Sequence, residues 1–455
     1  RPAMNFLPLS DSEYLLTGNG RTKEGIAKFS ARDAERDGDC CAHLERIADA
    51  LRELVLQQPP NVTERLNLTT LRELARTAAL GRQLSRLGLD SQQDLLDLFT
   101  LSAADFLDRW FESDPVKALL GFDSIVGTYA SPYEPGTAYL TLHHAFGEAN
   151  GKKGLRGHAM GGMGAISEAI AEAARVAGAE IETGAGIAEI LIEQGRTTGV
   201  VLEDGRIVHG RAVAANMTLK RLYTELVAKE ALPPAFLTRM ETFKYGSGTF
   251  RMNVALSKLP DFTCLPGAVA GDHHGAGIIL APSLDYMDRA YRDARKRGWS
   301  TEPIIEMLIP STIDPTLAPP GAHVASLFCQ HVAPRLPDDR SWDEVCDAVA
   351  DLMISTVDRY APGFEESIMG RQALSPLDLE RTFGLTGGDI FHGQLSLNQL
   401  FSARPALGYA AYLGPVPGLY HCGSGAHPGG GVTGAPGHNA ARAILNDLRP
   451  FSSFS

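Results

Sequence analysis

Cysteine is sparse in this 455-residue chain and follows no recognisable framework. Cys40, Cys41, Cys264, Cys329, Cys346 and Cys422 form no Cys-x-x-Cys pair, and the adjacent Cys40 and Cys41 are ill placed to bridge each other. The pattern argues against a disulfide scaffold and for a reduced, intracellular chain. It also makes coincidences of the glycosylation-like triplets Asn61-Val62-Thr63 and Asn67-Leu68-Thr69. Clustered positive charge is equally scarce: the densest run is Arg295-Lys296-Arg297, in a chain of net charge −12. Nucleic acid is therefore a poor partner, because phosphate-backbone binding depends on such clusters. No apolar run reaches the ~20 residues of a membrane span and no signal peptide opens the chain, which leaves peripheral membrane contact as the one lipid role. Also missing are a nucleophile elbow, a P-loop, a fixed-period repeat and any low-complexity tract. The first residue is Arg1 rather than Met, as in a processed or truncated product.

What is present is the composition of a globular protein, 44% hydrophobic and 21% charged. A chain of this length implies two or three packed units with interior enough to enclose a large cofactor. Residues 22 to about 120 read as almost wholly helical. Leu44, Ile47, Leu51, Leu54 and Val55 share one helix face; Leu71, Leu74, Ala75 and Ala78 repeat the spacing, and Ser102 with Asp105 forms an N-cap pattern. These helices read as a core-forming bundle, since charges interrupt their apolar faces too regularly for a lipid anchor.

After Gly151 the character changes. A small-residue helix over Ala165 to Ala177 precedes expected strands at Glu180 to Glu182 and Ile187 to Ile192. Thr198 to Leu202 and Arg206 to Val208 flank Glu203-Asp204-Gly205, where Asp-Gly is a strong hairpin turn, and Arg211 to Ala215 resumes an extended run. Between about 220 and 385 the pattern is α+β. Strands are expected over Thr249 to Leu256, Ile304 to Ile309 and Val324 to Phe328, with helices near Tyr286 to Ala294 and over Trp342 to Tyr360.

The most informative stretch runs from Gly418 to Gly437. A short strand, Leu419 to Cys422, enters a loop holding Gly423, Gly425, Gly429, Gly430, Gly431 and Gly434, and a helix follows to Leu448. Glycines let backbone take positive φ and approach a ligand closely, and a helix start offers unpaired N–H groups and partial positive charge. The plainer reading is a tight strand-to-helix connection. So many glycines in one turn cost chain entropy, and that favours a ligand. Gly161-Gly162-Met163-Gly164 is a weaker second case before the Ala165 helix. No stretch completes Gly-x-Gly-x-x-Gly in a tight strand-to-helix turn; Gly423-Ser424-Gly425 begins it, but Pro428 stands where the third glycine belongs.

Arg156 to Ile166, Val201 to Gly205, Ser375 to His392 and Gly423 to Val432 together resemble the phytoene desaturase-like flavoproteins, over nearly the whole chain and in the right order. The resemblance implies an α/β and α+β fold in which a Rossmann-like FAD-binding domain is assembled from separated segments and interleaved with a substrate domain. Residues 1–150 are then the helical part of the substrate domain, 151–220 an FAD-binding segment, 221–385 the α+β substrate domain and 386–455 the C-terminal FAD-binding segment. FAD is the implied cofactor and a small apolar molecule the implied substrate. Gly423, Ser424 and Gly425 are placed by the resemblance at the pyrophosphate, Gly430, Gly431 and Val432 at the flavin's pyrimidine edge, and Ile187 on the adenine side through its backbone. The family opens with a strand–Gly-x-Gly-x-x-Gly–helix unit and an acidic residue for the ribose, and neither stands in this sequence. The chain reads as shortened, or as a divergent form without that unit.

Flavin hydride chemistry depends more on substrate placement than on a set of acids and bases. His427, in the loop nearest the implied flavin, is the candidate catalytic residue facing substrate; its alternative is a histidine that hydrogen-bonds the glycine loop. His143-His144 and His273-His274 lack metal-site spacing, since adjacent histidines point apart on a strand, so no metal is expected. Tyr139, Phe146 and Tyr245 read as core aromatics ahead of a substrate tunnel. The rival to an FAD-dependent oxidoreductase is a non-catalytic interaction or regulatory protein that retains the fold. The implied address is a mitochondrial matrix or a bacterial cytoplasm, and the sequence sets no oligomeric state.

Overall fold

The computed structural model describes residues 1–61, 68–145, 147–149, 152–153, 157–267 and 269–449. Phe146, Arg156 and, from the glycosylation-like triplets, Val62, Thr63 and Asn67 lie outside them. The chain divides into two compact units: Arg1–Ala48, Leu96–Ile181 and Gly248–Asp378 form one, and Asp49–Leu95, Glu182–Ser247 and Leu379–Ser455 the other.

The first unit is built on a seven-stranded mixed sheet in the order Ile368–Leu374, Phe250–Leu256, His323–Val332, Trp299–Leu308, Gly277–Leu280, Asn5–Pro8, Tyr14–Leu16. Strand alternation sends Phe250, Met252, Val254 and Leu256 to one face, beside Ala325, Leu327 and Cys329 of the antiparallel neighbour, and that face is fully buried. It packs with the Trp342–Tyr360 helix, whose Val349, Ala350, Met353, Ile354 and Val357 recur at helical spacing in the same apolar cluster. Ser341 caps that helix by accepting from the Asp343 amide (3.1 Å). Leu284–Arg297 is capped likewise by Ser283 and stops at Gly298, whose φ of 103° supplies the left-handed residue a helix end favours. Ser102 caps Ala103–Asp108 as its sequence suggests. The Asn5–Pro8 strand, which no local pattern announces, pairs parallel with Gly277–Leu280.

The second unit carries two small sheets. Ile187–Glu193, Arg196–Leu202 and Ile207–His209 make an antiparallel meander, with Gly205 at φ 86° in the Asp-Gly turn. Val213–Ala215 pairs parallel with Leu419–His421. The apolar core here centres on Leu219, Leu222, Tyr223, Phe236, Met240 and Leu419. The Leu68–Ser85 and Ala435–Leu448 helices and the last residues of the Ala31–Val55 helix belong to this unit.

Three expectations need correction. Glu180 to Glu182 is not a strand: no neighbouring strand pairs with it, and Glu182 is instead bound to Arg206 (2.6 Å). His143 and His144 lie in the Ala138–Ala145 helix. His273 and His274 lie in a 3-10 turn, Asp272–Gly275, between Gly271 and Gly275, which brings their rings to 3.9 Å instead of pointing them apart. Among the described residues no group of three or more His, Cys, Asp or Glu side chains could hold a metal ion. Tyr139 is buried and stacked on Phe99, and the Tyr245 hydroxyl accepts from the Lys220 amide (2.9 Å). No described helix is long and apolar enough to cross a membrane.

Candidate functional site

Each residue proposed from the sequence for the cofactor or for catalysis lies in the second unit. The Leu419–His421 strand is buried, and the Cys422 amide extends its parallel pairing by donating to the Ala215 carbonyl (3.0 Å). Beyond it the chain turns tightly against the segment that follows the partner strand. A Cβ on Gly423 would stand 2.0 Å from Asn216 Oδ1, and one on Gly425 would stand 2.8 Å from Leu219 Cγ. At Gly430 a Cβ would meet both the ring of Phe391 (2.1 Å) and its Cα (2.9 Å). These glycines are required by the protein's own packing. Ser424 is half-buried between them.

A buried arginine holds this turn. Arg404 has no exposed surface, and its guanidinium donates to the carbonyls of Ser424 (2.6 and 3.0 Å), Gln399 (3.0 Å), Phe391 (3.0 Å) and Gly393 (3.2 Å). A planar fork with five donors suits such a ring of acceptors, and Lys could not replace it. Asp389 braces the same loop from its buried carboxylate, accepting from the amides of Phe391 (2.8 Å) and Gly246 (2.8 Å). Burial pushes its carboxyl up, against the pull of those amides and of Arg404. Arg404 carries a signal in the sequence that glycine patterning does not: it is the sole Asp, Glu, Lys or Arg between Ile390 and Ala441. A lone cation in so long an uncharged stretch has a specific job.

His427 is buried, with its Nε2 at 3.0 Å from the Leu54 carbonyl. A carbonyl only accepts, so Nε2 carries the proton. Burial pulls its pKa down to about 4, so the ring is neutral near pH 7. Asn439 donates in parallel to the Val55 carbonyl (2.9 Å). The two side chains thus satisfy carbonyls at the end of the Ala31–Val55 helix, which have no partner within the helix itself. Tyr412 joins them by donating to the His427 carbonyl (2.9 Å) and accepting from Asn439 (2.8 Å).

After Gly430 the environment reverses. Gly431, Val432, Thr433 and Gly434 are all exposed, Val432 by 76%. Gly431 has φ 149°, and Gly434, at φ 68°, is the residue before the Ala435–Leu448 helix. A Cβ on Gly434 would meet nothing within 4 Å. The helix has no acidic residue in its first turn, and its cap is a residue without a side chain. The Ala435 amide is taken by Thr433 Oγ1 (3.1 Å) and Pro436 has no N–H, so what the helix start offers an electron-rich partner is chiefly the positive end of its dipole. Ile187, half-buried, opens the edge strand of the meander and packs on the apolar core of the unit. The outer backbone groups of an edge strand have no partner within the sheet.

No family model matches the chain. It is 39% identical over 455 residues to pyridine nucleotide-disulfide oxidoreductase domain-containing protein 2 of Rattus norvegicus, covering 96% of this chain and 77% of that protein. It is 24% identical over 356 residues to a lycopene-forming phytoene desaturase of Pseudescherichia vulneris, covering 75% of this chain and 66% of the other. Among solved structures, a redesigned putrescine oxidase superposes with a TM-score of 0.51 at 13% identity, over 99% of this chain and 82% of the other, a likeness of fold alone. The near-full-length match to the rat protein carries the assignment: the chain belongs to the family of pyridine nucleotide-disulfide oxidoreductase domain-containing protein 2, among the FAD-dependent oxidoreductases.

Proposed function

We propose that this protein transfers a hydride between a small apolar substrate and FAD, with the flavin's pyrimidine edge lying against Gly430, Gly431 and Val432. The observation that carries this reading is the exposed backbone of Gly431–Gly434, delivered to a helix N-terminus by a turn locked from behind by Arg404. FAD, when bound, supplies the two-electron acceptor. The chain's own residues bind and orient it. Gly423, Ser424 and Gly425 lie by the pyrophosphate, Ile187 offers backbone on the adenine side, and the helix dipole favours negative charge at the flavin edge. His427 acts in this reading as a positioning residue, because its Nε2–H is spent on Leu54. Segments 151–220 and 386–455 bind the cofactor; 1–150 and 221–385 hold the substrate. An apolar substrate is supported by the phytoene desaturase among the relatives. Free thiols throughout support a reducing compartment, a mitochondrial matrix or a bacterial cytoplasm.

The test is flavin retention. Purified protein incubated with FAD and gel-filtered should keep flavin absorbance, and Val432→Glu should lose most of it. Val432 is exposed, so this change should alter stability by less than about 0.5 kcal/mol. No retained flavin in the parent protein, or equal flavin in the variant, would sink the proposal.

A further inference from the structure

The second unit also contains a pocket of about 340 Å³ along the Asn439–Asn446 face of the Ala435–Leu448 helix. That volume lies within the range of small-molecule sites. One wall is the helix face Asn439, Arg442, Ala443 and Asn446, whose spacing puts all four in one row. Asn439 is buried and its amide N–H groups are taken by Val55 and Tyr412, so the polar groups this face offers are the exposed Arg442 guanidinium and Asn446 amide. The opposite wall is Arg76, Ala79 and Leu80 of the Leu68–Ser85 helix. Leu54, Pro60 and Phe401 complete an apolar floor.

Charge singles the pocket out. Its lining holds two arginines and no carboxylate, in a chain of net charge −12. Arg76 gives Nη1 to Glu73 (2.8 Å), whose second oxygen is taken by the Asn61 amide (2.7 Å). Among the described residues Arg442 forms no ion pair at all. A second cation without a counter-charge, beside apolar surface in a cleft, is an arrangement complementary to an anion with an apolar body.

We propose that this pocket binds a carboxylate on a short acyl chain, with Arg442 and Arg76 taking the carboxylate and Leu54, Ala79, Leu80 and Phe401 covering the chain. Its lining includes none of the residues from Gly423 to Gly434. It is nonetheless joined to their support: Leu54 gives its carbonyl to His427, and the Phe401 ring meets the His427 ring edge-on at 5.4 Å.

Titration calorimetry of the full chain with octanoate, octanol and octyl phosphate tests this without reference to flavin. Octanoate should bind more tightly than either. Arg442→Gln should weaken it ~10-fold, as loss of a charge-assisted pair does, and Leu80→Trp, which fills the cleft, should abolish it. Circular dichroism checks that both variants fold. Equal binding of octanol, preference for octyl phosphate, or unchanged octanoate affinity in both variants would overturn the proposal.

Discussion

The two halves of the glycine loop use the same residue for opposite purposes. From Gly423 to Gly430 the glycines are buried, and what fills the space of their missing side chains is the protein itself: Asn216, Leu219 and Phe391. From Gly431 to Gly434 they are exposed, and around Gly434 that space is open. Counting glycines treats both halves as a ligand cradle. In the proposed reading the first half is chiefly an anchor that meets the cofactor through backbone alone, and the second a presenting edge. Only an edge that is held still can act as a preorganised electrostatic partner, since a mobile one would spend binding energy on its own ordering.

The sharpest way to break the comparison is to remove the anchor. Arg404→Leu leaves the carbonyls of Ser424, Gln399, Phe391 and Gly393 buried without their donor. Each unpaired group costs about 1–3 kcal/mol, so a loss above ~4 kcal/mol is expected, much of a typical domain's stability. Urea unfolding should show an early or non-cooperative transition. A parental midpoint would show that the arginine is dispensable. Gly430→Ala comes next. Phe391 cannot step aside easily, because its carbonyl serves Arg404 and its amide serves Asp389. Overpacking of this kind costs about 1–3 kcal/mol, and the backbone clash puts the expectation at the upper end, readable as a lowered melting temperature.

Acid should act on the anchor too. The His427 ring takes up a proton near pH 6.5 when unfolded and only near pH 4 when folded. A depressed histidine binds more protons in the unfolded state, so its contribution is complete above about pH 6.5 and is lost as pH falls towards about 4. The full effect is of order 3 kcal/mol. His421 and His273, held at about 4, and His331, at about 3, titrate with the same sign, as do the lowered His274, His323 and His392, so the parent protein sums all seven. His427→Gln keeps an N–H donor for Leu54 but has no proton to take up. Its urea midpoint should fall less steeply between pH 6.5 and pH 4 than the parent's, and an identical slope would remove His427 from the account.

How much could be seen beforehand follows from the range of each signal. The Ser102 cap, the Asp204-Gly205 hairpin and the Trp342–Tyr360 helix are written in neighbouring residues, and a sequence reader finds them. The Asn5–Pro8 strand is not, because its partner Gly277–Leu280 is remote in the chain and nothing local reports the pairing. Glu180 to Glu182 shows the reverse error, since alternation without a neighbour makes no strand. Within the site the glycine-rich loop was legible, and its division into two halves was not. That division depends on where Phe391, Asn216 and Leu219 arrive from elsewhere in the sequence. Arg404 stands between: its isolation was visible, but its acceptors lie on three different turns.

The smallest expected effect is also the one that separates the halves most directly. Gly434→Ala adds the same methyl group as Gly430→Ala, four residues along the same loop, into space with no atom within 4 Å. Its cost is then only that of holding alanine at φ 68°, about 1 kcal/mol. The melting temperature should fall by a few degrees at most. Flavin retention should suffer more than stability does, because the methyl stands where the helix start is open to a ligand. For Gly430→Ala the loss of fold should come first and carry the flavin with it. If the two alanines instead lower the melting temperature equally, anchor and edge are one structure. If Gly434→Ala holds flavin as the parent does, the open end of the helix is not where the cofactor lies.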